Sequence, residues 1–246
     1  MWKVIYGIYF FLIATPVFLL TTLLTALTTY IGCILGGERI FSFYPGKWWS
    51  ISTCYPFLCP VKVTGKEHIE KNKSYVITAN HQGAFDIFLV YGFLNIRIKW
   101  MMKKSLEKIP FVGSACRAAG FIFVDQGSPA AAAKSIKEAE QKIKDSNASL
   151  SIFPEGSRSA TGKMGRFKKG AFQIAMDQQL PILPVTLNGP YEVLPIHKLF
   201  VKPHRMEVII HPPIEVKDLE FSPKTIISLA NQTRECIETG LWDKYK

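Results

Sequence analysis

Two short polar segments contain the residues whose types and spacing could support chemistry. The first runs from Asn80 to Asp86 and includes His81. A carboxylate that accepts a hydrogen bond from one imidazole nitrogen fixes the tautomer and raises the basicity of the other nitrogen. His81 and Asp86 therefore predict a general base that can take the proton of a hydroxyl group.

This pairing requires a turn between the two residues. On a continuous helix, side chains at this spacing would point about 140° apart. Gln82 and Gly83 supply a turn, and Asp86 then falls in the first turn of the following helix, where a carboxylate is favoured. The alternative interpretation is a polar loop histidine followed by an aspartate that only caps a helix. A metal site is less favoured because no third ligand lies nearby in the sequence.

The second segment, Phe153–Ser159, is followed by several basic residues between positions 163 and 169. Glycine allows backbone N–H groups to face a ligand, and arginine can bind a phosphate through two parallel hydrogen bonds. The segment does not have the G-x-S-x-G pattern of a serine hydrolase, so Ser157 is not expected to be a nucleophile. The alternative for the basic stretch is a solvated loop.

Both segments follow short apolar runs that predict buried strands. Strands that alternate with helices indicate an α/β fold, with a mixed, largely parallel sheet flanked by helices. Two helices are predicted to begin at Ser-Pro pairs, Ser128-Pro129 and Ser222-Pro223, because serine is a good N-cap and proline suits the first helical position. The predicted strands are Tyr75–Ala79, Ile96–Met102, Gly120–Val124, Leu150–Phe153, Ile182–Asn188 and Met206–His211.

The N-terminal part of the 246-residue chain has a different character. No charged residue occurs from Val4 to Gly37, a run longer than the roughly 20 residues that cross a bilayer. This length disfavours both a signal peptide and a buried core helix, and it predicts a membrane-embedded segment with a possible kink at Pro16. A second apolar and aromatic stretch, Trp48–Val61, is typical of an interfacial segment. Either the first helix crosses the membrane and the second lies flat, or both enter from one side.

Composition narrows the remaining classes of protein. A hydrophobic fraction of 48% excludes a disordered chain, and the net charge of +11 suits an anionic membrane surface and anionic substrates. The five cysteines form no C-x-x-C pair, which favours a reducing compartment over a disulfide scaffold. The basic residues do not form a nucleic-acid-binding module, so no nucleic-acid partner is expected.

Together, the motifs and their order resemble the 1-acylglycerol-3-phosphate acyltransferase family of glycerolipid acyltransferases. The family's N-H-x-x-x-x-D motif matches Asn80, His81 and Asp86, and its F-P-E-G-T-R-S motif matches Phe153–Ser159, with Ser157 in place of threonine. The segments 103–113, 167–171 and 180–185 also resemble family blocks. In a further block, Gln126 stands where the family usually has an arginine that is thought to hold the acceptor phosphate.

The resemblance implies an enzyme that moves a fatty acyl group from an acyl thioester to the free hydroxyl of a lysophospholipid, giving phosphatidic acid. His81 would be the general base and Asp86 its orienting carboxylate. The implied substrate-binding residues are Lys104, Glu155, Gly156, Ser157 and Arg158. Acyl-CoA or acyl carrier protein would serve as co-substrate, and neither a metal nor another cofactor is expected.

The predicted organisation is a membrane-embedded and interfacial helical segment, 1–61, followed by an acyltransferase domain, 62–246. The enzyme is expected at a membrane, with membrane lipids as partners and its active site on the cytoplasmic side. Because Gln126 is neutral, a different acceptor, such as a lyso-aminolipid, is the alternative within the enzyme class. A membrane-attached binding protein without turnover is the alternative outside it.

Overall fold

Seven strands form a single sheet in the computed structural model, which describes residues 1–125, 127–146 and 148–246. The strand order is β1-β7-β6-β2-β5-β3-β4. β6 and β7 are antiparallel, and the other neighbouring pairs are parallel. The strands are β1 (Val61–Thr64), β2 (Val76–Ala79), β3 (Ile98–Lys103), β4 (Ile122–Val124), β5 (Ser149–Ile152), β6 (Ile182–Asn188) and β7 (Met206–Ile210).

Helices cover both faces of this sheet. They are α1 (Trp2–Tyr9), α2 (Thr15–Gly32), α3 (Glu38–Phe41), α4 (Tyr44–Cys54), α5 (Asp86–Phe93), α6 (Val112–Ala118), α7 (Pro129–Ser146), α8 (Gly170–Asp177), α9 (Pro190–Val193) and α10 (Pro223–Gly240). The predicted fold class is confirmed: the sheet is mixed and mostly parallel, with flanking helices.

The two faces of the sheet carry separate hydrophobic cores because successive strand residues point to opposite sides. Ile77 packs in the core shared with α1, α4 and α5, whereas the preceding residue, Val76, packs in the core shared with α7, α8 and α10. Burial on both faces explains why the central strands read as continuous apolar runs.

All six predicted strands are present, with ends that differ by at most a few residues, and β6 has the predicted bounds. β1 was not predicted, since its four residues follow Pro60 and provide too short a pattern. Both predicted Ser-Pro helix starts are also present. Ser128 Oγ accepts a hydrogen bond from the Ala131 N–H at 3.1 Å, and Ser222 Oγ accepts one from the Thr225 N–H at 3.1 Å.

The N-terminal apolar segment, Trp2–Phe41, is 40 residues of helix that are long and apolar enough to cross a membrane. The helix is kinked at Gly36, whose φ of +88° is not helical. A π-helical turn at Phe10–Ala14 directly precedes Pro16. Proline has no N–H to continue the regular hydrogen-bond ladder, so a local irregularity is expected there. Beyond residue 41 the chain reverses, and α4 packs against both α2 and α5.

One face of this helical stretch packs against the rest of the molecule. The Tyr6 hydroxyl donates to the Val201 carbonyl at 3.0 Å, and the indole N–H of Trp49, in α4, donates to Thr22 Oγ1 at 2.9 Å. Buried N-terminal side chains such as Phe10 thus belong to the same core as β2 and α5. The other face exposes a row of large apolar side chains: Leu12, Leu19, Leu20, Leu24, Ile31, Ile34 and Leu35. The division into 1–61 and 62–246 stays a prediction.

Candidate active site

His81 and Asp86 lie on either side of a tight turn between β2 and α5. Asp86 is the first residue of α5 and is completely buried. Its Oδ2 atom lies 2.6 Å from His81 Nδ1, and it also accepts hydrogen bonds from the backbone N–H groups of Gln82 at 2.6 Å and Gly83 at 2.9 Å. The contact expected from the sequence is therefore present, and it depends on the turn.

This geometry fixes the chemistry of the imidazole. Because an ionised carboxylate only accepts hydrogen bonds, Nδ1 must carry the proton shared with Asp86, and Nε2 is left with a free lone pair. The side chain of His81 is 16% exposed, so the imidazole is not sealed inside the protein as Asp86 is. The Phe153 ring stacks on the imidazole at 4.0 Å and 6°, which holds its plane.

Gly83 allows the turn to lie directly against α9. A Cβ atom at position 83 would be 2.5 Å from the Pro190 carbonyl oxygen and 2.8 Å from that of Leu194. Any larger residue would push the turn away from α9. The Gln82 and Gly83 N–H groups, which donate to Asp86, would then move as well.

Asn80 has a structural role that sequence reasoning missed, although the residue belongs to the motif. Its side chain donates to the Leu187 carbonyl at 2.9 Å and accepts from the Leu187 N–H at 2.8 Å. This pair joins the end of β2 to β6, so it fixes the point at which the chain leaves the sheet and the position of His81. The asparagine in the motif could have indicated a structural role, but its partner, Leu187, lies 107 positions away in the sequence.

The loop after β5 is attached to the backbone of His81. Glu155 Oε1 accepts from the His81 N–H at 2.8 Å, and Oε2 accepts from the Gly165 N–H at 2.8 Å. The Ser159 N–H donates to the His81 carbonyl at 2.8 Å. Burial raises the pKa of Glu155, although these two backbone donors act in the opposite direction. Oε1 thus joins the two motif loops, and Oε2 ties Glu155 to a later part of its own loop.

The remaining predicted residues of this loop lie close to His81. Gly156 has a φ of +78°, and a Cβ there would meet Lys168 Nζ at 2.5 Å, so the ammonium group lies over the glycine. Ser157 is exposed and Arg158 is half-buried. Arg158 makes no hydrogen bond or ion pair with any residue in the described ranges, and it is next to Ser159, which contacts His81. Its guanidinium is available to an anionic ligand.

Lys104 lies beyond the carboxyl end of β3, and its Nζ is 3.0 Å from Asp125 Oδ2. The hydrogen bond that Lys104 donates to Asp125 raises the pKa of Lys104, and the hydrogen bonds from the Gly127 N–H and from Lys104 lower the pKa of Asp125. The sequence did not predict this partner. Gln126, where the family pattern has arginine, lies outside the described residues.

The sheet brings these groups to one edge. His81 follows β2, the Glu155 loop follows β5 and Lys104 follows β3, and these three parallel strands are neighbours in the order β2-β5-β3. The carboxyl edge of a parallel sheet is where α/β proteins form ligand sites. Within the part of the chain that the structure describes, no group of three or more His, Cys, Asp or Glu side chains could hold a metal ion.

Fold and site together define an α/β protein in which a buried carboxylate is hydrogen-bonded to an imidazole beside a cationic loop, an arrangement that can activate a hydroxyl group. The acyltransferase family model matches residues 60–188. The chain belongs to this family, which confirms the resemblance seen in the motifs.

Named relatives agree with this assignment. The chain is 36% identical over 159 residues to a 1-acyl-sn-glycerol-3-phosphate acyltransferase of Limnanthes douglasii, a match that covers 65% of this chain and 56% of that protein. It is 30% identical over 180 residues to the alpha form of the Mus musculus enzyme of the same name, covering 73% of this chain and 62% of that protein. The match therefore spans less than two thirds of each relative.

A solved structure covers more of the molecule. The 1-acyl-sn-glycerophosphate acyltransferase PlsC of Thermotoga maritima superposes with a TM-score of 0.66 at 26% identity, covering 90% of this chain and 97% of that one. The similarity extends over most of the chain, beyond the block matched by the family model.

Proposed function

We propose that this protein is a 1-acylglycerol-3-phosphate acyltransferase, which acylates the free hydroxyl of a lysophospholipid to give phosphatidic acid. The observation that carries the proposal is the 2.6 Å contact between His81 Nδ1 and the buried Asp86 carboxylate, next to a loop with an available arginine. The names of the relatives support the same reaction.

In the proposed mechanism, His81 Nε2 removes the hydroxyl proton of the acceptor as its oxygen attacks the thioester carbonyl carbon. Asp86 stabilises the imidazolium that forms, because the charged pair is held in a buried site. The new carbon–oxygen bond forms as the carbon–sulfur bond breaks, and the proton passes from the imidazolium to the departing thiolate. No acyl-enzyme is needed, and the activated thioester makes a further cofactor unnecessary.

Arg158 is the residue we assign to the acceptor phosphate, because it is half-buried, makes no hydrogen bond or ion pair with the described residues, and adjoins Ser159, whose N–H binds the His81 carbonyl. Lys104 supplies a second positive charge at the same sheet edge, shared with Asp125. Gly156 and Ser157 shape the loop beside it. Glu155 contributes by holding the two loops in register, since its Oε1 accepts the hydrogen bond from the His81 N–H.

The packing of the N-terminal helices supports an arrangement in which both enter the membrane from one side. The helical stretch from Trp2 to the kink at Gly36 would be about 50 Å long, well above the roughly 30 Å of the hydrocarbon layer. The Tyr6–Val201 bond and the packing of α2 on α6 hold this stretch on the α/β part, and the Trp49–Thr22 bond joins it to α4. A helix that crossed the bilayer could not keep these contacts. We therefore propose that these helices lie within one leaflet. The cytoplasmic side stays the predicted location of the active site.

A panel of acceptors and donors tests the proposal. Purified full-length protein in phosphatidylcholine vesicles would be given labelled acyl-CoA or acyl carrier protein thioesters with lysophosphatidic acid, lysophosphatidylcholine or a lyso-aminolipid. We expect the fastest acylation with lysophosphatidic acid, and the donor comparison identifies the carrier. Preferred acylation of a lyso-aminolipid would overturn the assigned acceptor. Absence of thioester consumption with every acceptor would favour a binding protein without turnover.

A further inference from the structure

A large cleft lies at the opposite edge of the sheet from His81. Its volume is about 1220 Å³. It is lined by residues that precede the parallel strands, including Ser74, Ile96 and Gly120, and by residues of α3 and α4. Because His81 and the Glu155 loop follow the carboxyl ends of the same strands, this cleft is separate from the proposed active site.

The lining of the cleft is strongly basic. Seven lysine and arginine side chains line it, against two carboxylates, Glu38 and Glu70. Both carboxylates are already paired: Glu38 binds the Lys99 ammonium group, and Glu70 lies 2.8 Å from Lys73 Nζ. The seven basic side chains outnumber the two carboxylates, so the lining has a formal net charge of about +5.

Lys99 forms part of the cleft wall even though it is only 2% exposed. Its ammonium group binds Glu38 and the Ala119 carbonyl, the latter at 2.6 Å. A buried ammonium group requires such partners. This ion pair anchors α3, at the end of the long N-terminal helix, to the sheet, and so holds Arg39 at the mouth of the cleft.

Arg39 and Arg97 both line the cleft. Burial lowers the pKa of Arg97, Arg39 lowers it further, and Glu38 acts in the opposite direction. An anion bound in the cleft would reduce the repulsion between these like charges. Guanidinium and ammonium groups gathered around a cavity are suited to a phosphate, which can accept several charged hydrogen bonds at once.

The rim of the cleft is apolar and continuous with the exposed face of the N-terminal helices. Ile40 and Tyr44 line the cleft, and both side chains are largely exposed. Ile34 and Leu35, just before α3, are more exposed still. A ligand with a phosphate and attached hydrocarbon chains would thus find basic groups inside the cleft and an apolar surface beside it.

We propose that this cleft binds the phosphate group of an anionic phospholipid, whose acyl chains lie along the apolar tip formed by residues 34–44. The basic groups bind the phosphate, and a free phosphate ion would share that part of the chemistry. Binding here would fix the orientation of the protein on an anionic membrane. The inference depends on the membrane placement of the helices but not on catalysis.

The test measures the affinity of dioctanoyl phosphatidylglycerol, which is neither substrate nor product of the proposed reaction. The full-length protein, in neutral detergent micelles, would be titrated by calorimetry. The test variant is Arg39→Gln/Lys71→Gln, at two exposed lining residues, and the matched control is Lys217→Gln/Lys224→Gln, at two exposed lysines outside the cleft. We expect the Kd to rise at least tenfold in the test variant and to stay within twofold in the control.

Two further arms make the result decisive. A His81→Ala variant should bind this lipid with unchanged Kd, so failure of the proposed enzymatic function would leave this test intact. Inorganic phosphate should compete only at far higher concentration, whereas competition at the same concentration as the lipid would overturn the lipid as the ligand. Arg97→Gln provides a second test variant, and thermal melts confirm that each variant folds. Equal Kd values for the test and control variants would overturn the proposal.

Discussion

Replacing Asp86 by asparagine separates the catalytic from the structural role of this carboxylate. A single oxygen, Oδ2, accepts all three hydrogen bonds, and Oδ1 is buried without a partner among the described residues. An asparagine whose amide oxygen takes the Oδ2 position can therefore keep the His81, Gln82 and Gly83 contacts. The turn should survive, while the negative charge is lost and the amide NH2 group takes the buried Oδ1 position.

The magnitudes follow from these contacts. Hydrogen bonds to a charged acceptor contribute about 1.5–3 kcal/mol and neutral ones about 1 kcal/mol, so three bonds lose about 2–5 kcal/mol. The lower cost of burying an amide instead of a carboxylate offsets part of this loss. We expect Asp86→Asn to lower the free energy of unfolding by about 1–2 kcal/mol. Loss of general-base assistance should lower kcat by roughly 10²–10⁴, or about 3–5 kcal/mol.

The assay compares kcat for acyl transfer with the free energy of unfolding in urea, on the same preparations of wild type and Asp86→Asn. The rate loss should exceed the stability loss by a wide margin, with unchanged KM for the thioester. If the variant folds normally and turns over within threefold of wild type, Asp86 only caps the turn, and the polar-loop alternative for this motif is correct.

Three other substitutions test separate parts of the account. Asn80→Ala leaves the N–H and C=O of Leu187 unpaired in a buried site, so the free energy of unfolding in urea should fall by about 2–5 kcal/mol; a fall below 0.5 kcal/mol would contradict this role. Lys104→Ala removes an exposed ion pair, so the Tm should not change, whereas the KM for the lysophospholipid should rise and that for the thioester should not. Burial raises the pKa of Glu155 above its ordinary value of 4.5, so the folded state binds a proton at Glu155 more tightly than the unfolded state. The resulting stabilisation of the folded state is present at low pH, and it is lost as pH rises through the folded-state pKa. The stability of wild type relative to Glu155→Gln should therefore fall over that range in urea titrations, and a difference that is constant with pH would refute the argument.

The sequence was most informative where local patterns decide structure. Both Ser-Pro pairs begin helices with the expected capping bonds, because an N-cap depends on residues three positions apart. The two polar motifs each follow a strand. Because ligand sites form at the carboxyl edge of parallel strands, this position was enough to predict that the motifs lie in one site. The turn between His81 and Asp86 could likewise be predicted from their spacing and Gly83.

Long-range contacts could not be predicted in the same way. The Asn80–Leu187 pair, the hydrogen bonds from the His81 and Gly165 N–H groups to Glu155, and the Lys104–Asp125 pair each depend on which elements become neighbours. The sequence identifies a motif residue but not its partner. Glu155 was therefore predicted to bind the substrate, and the structure shows that its two oxygens accept hydrogen bonds from backbone N–H groups.

The membrane segment illustrates the same limit. The absence of charge from Val4 to Gly37 indicated membrane contact but left its orientation open. The orientation we propose depends on Tyr6 and Trp49, whose hydrogen-bonding partners are fixed only by the folded structure.

The rate of acyl transfer by His81→Ala tests the central claim most directly. The variant would be compared in vesicles with wild type and with His68→Ala, a histidine that binds the Ile210 carbonyl at the opposite edge of the sheet. We predict that His81→Ala folds and stays bound to the vesicles while kcat falls by at least about 100-fold, and that His68→Ala keeps its rate. Near-normal turnover by folded, membrane-bound His81→Ala would contradict the role of this histidine as the general base.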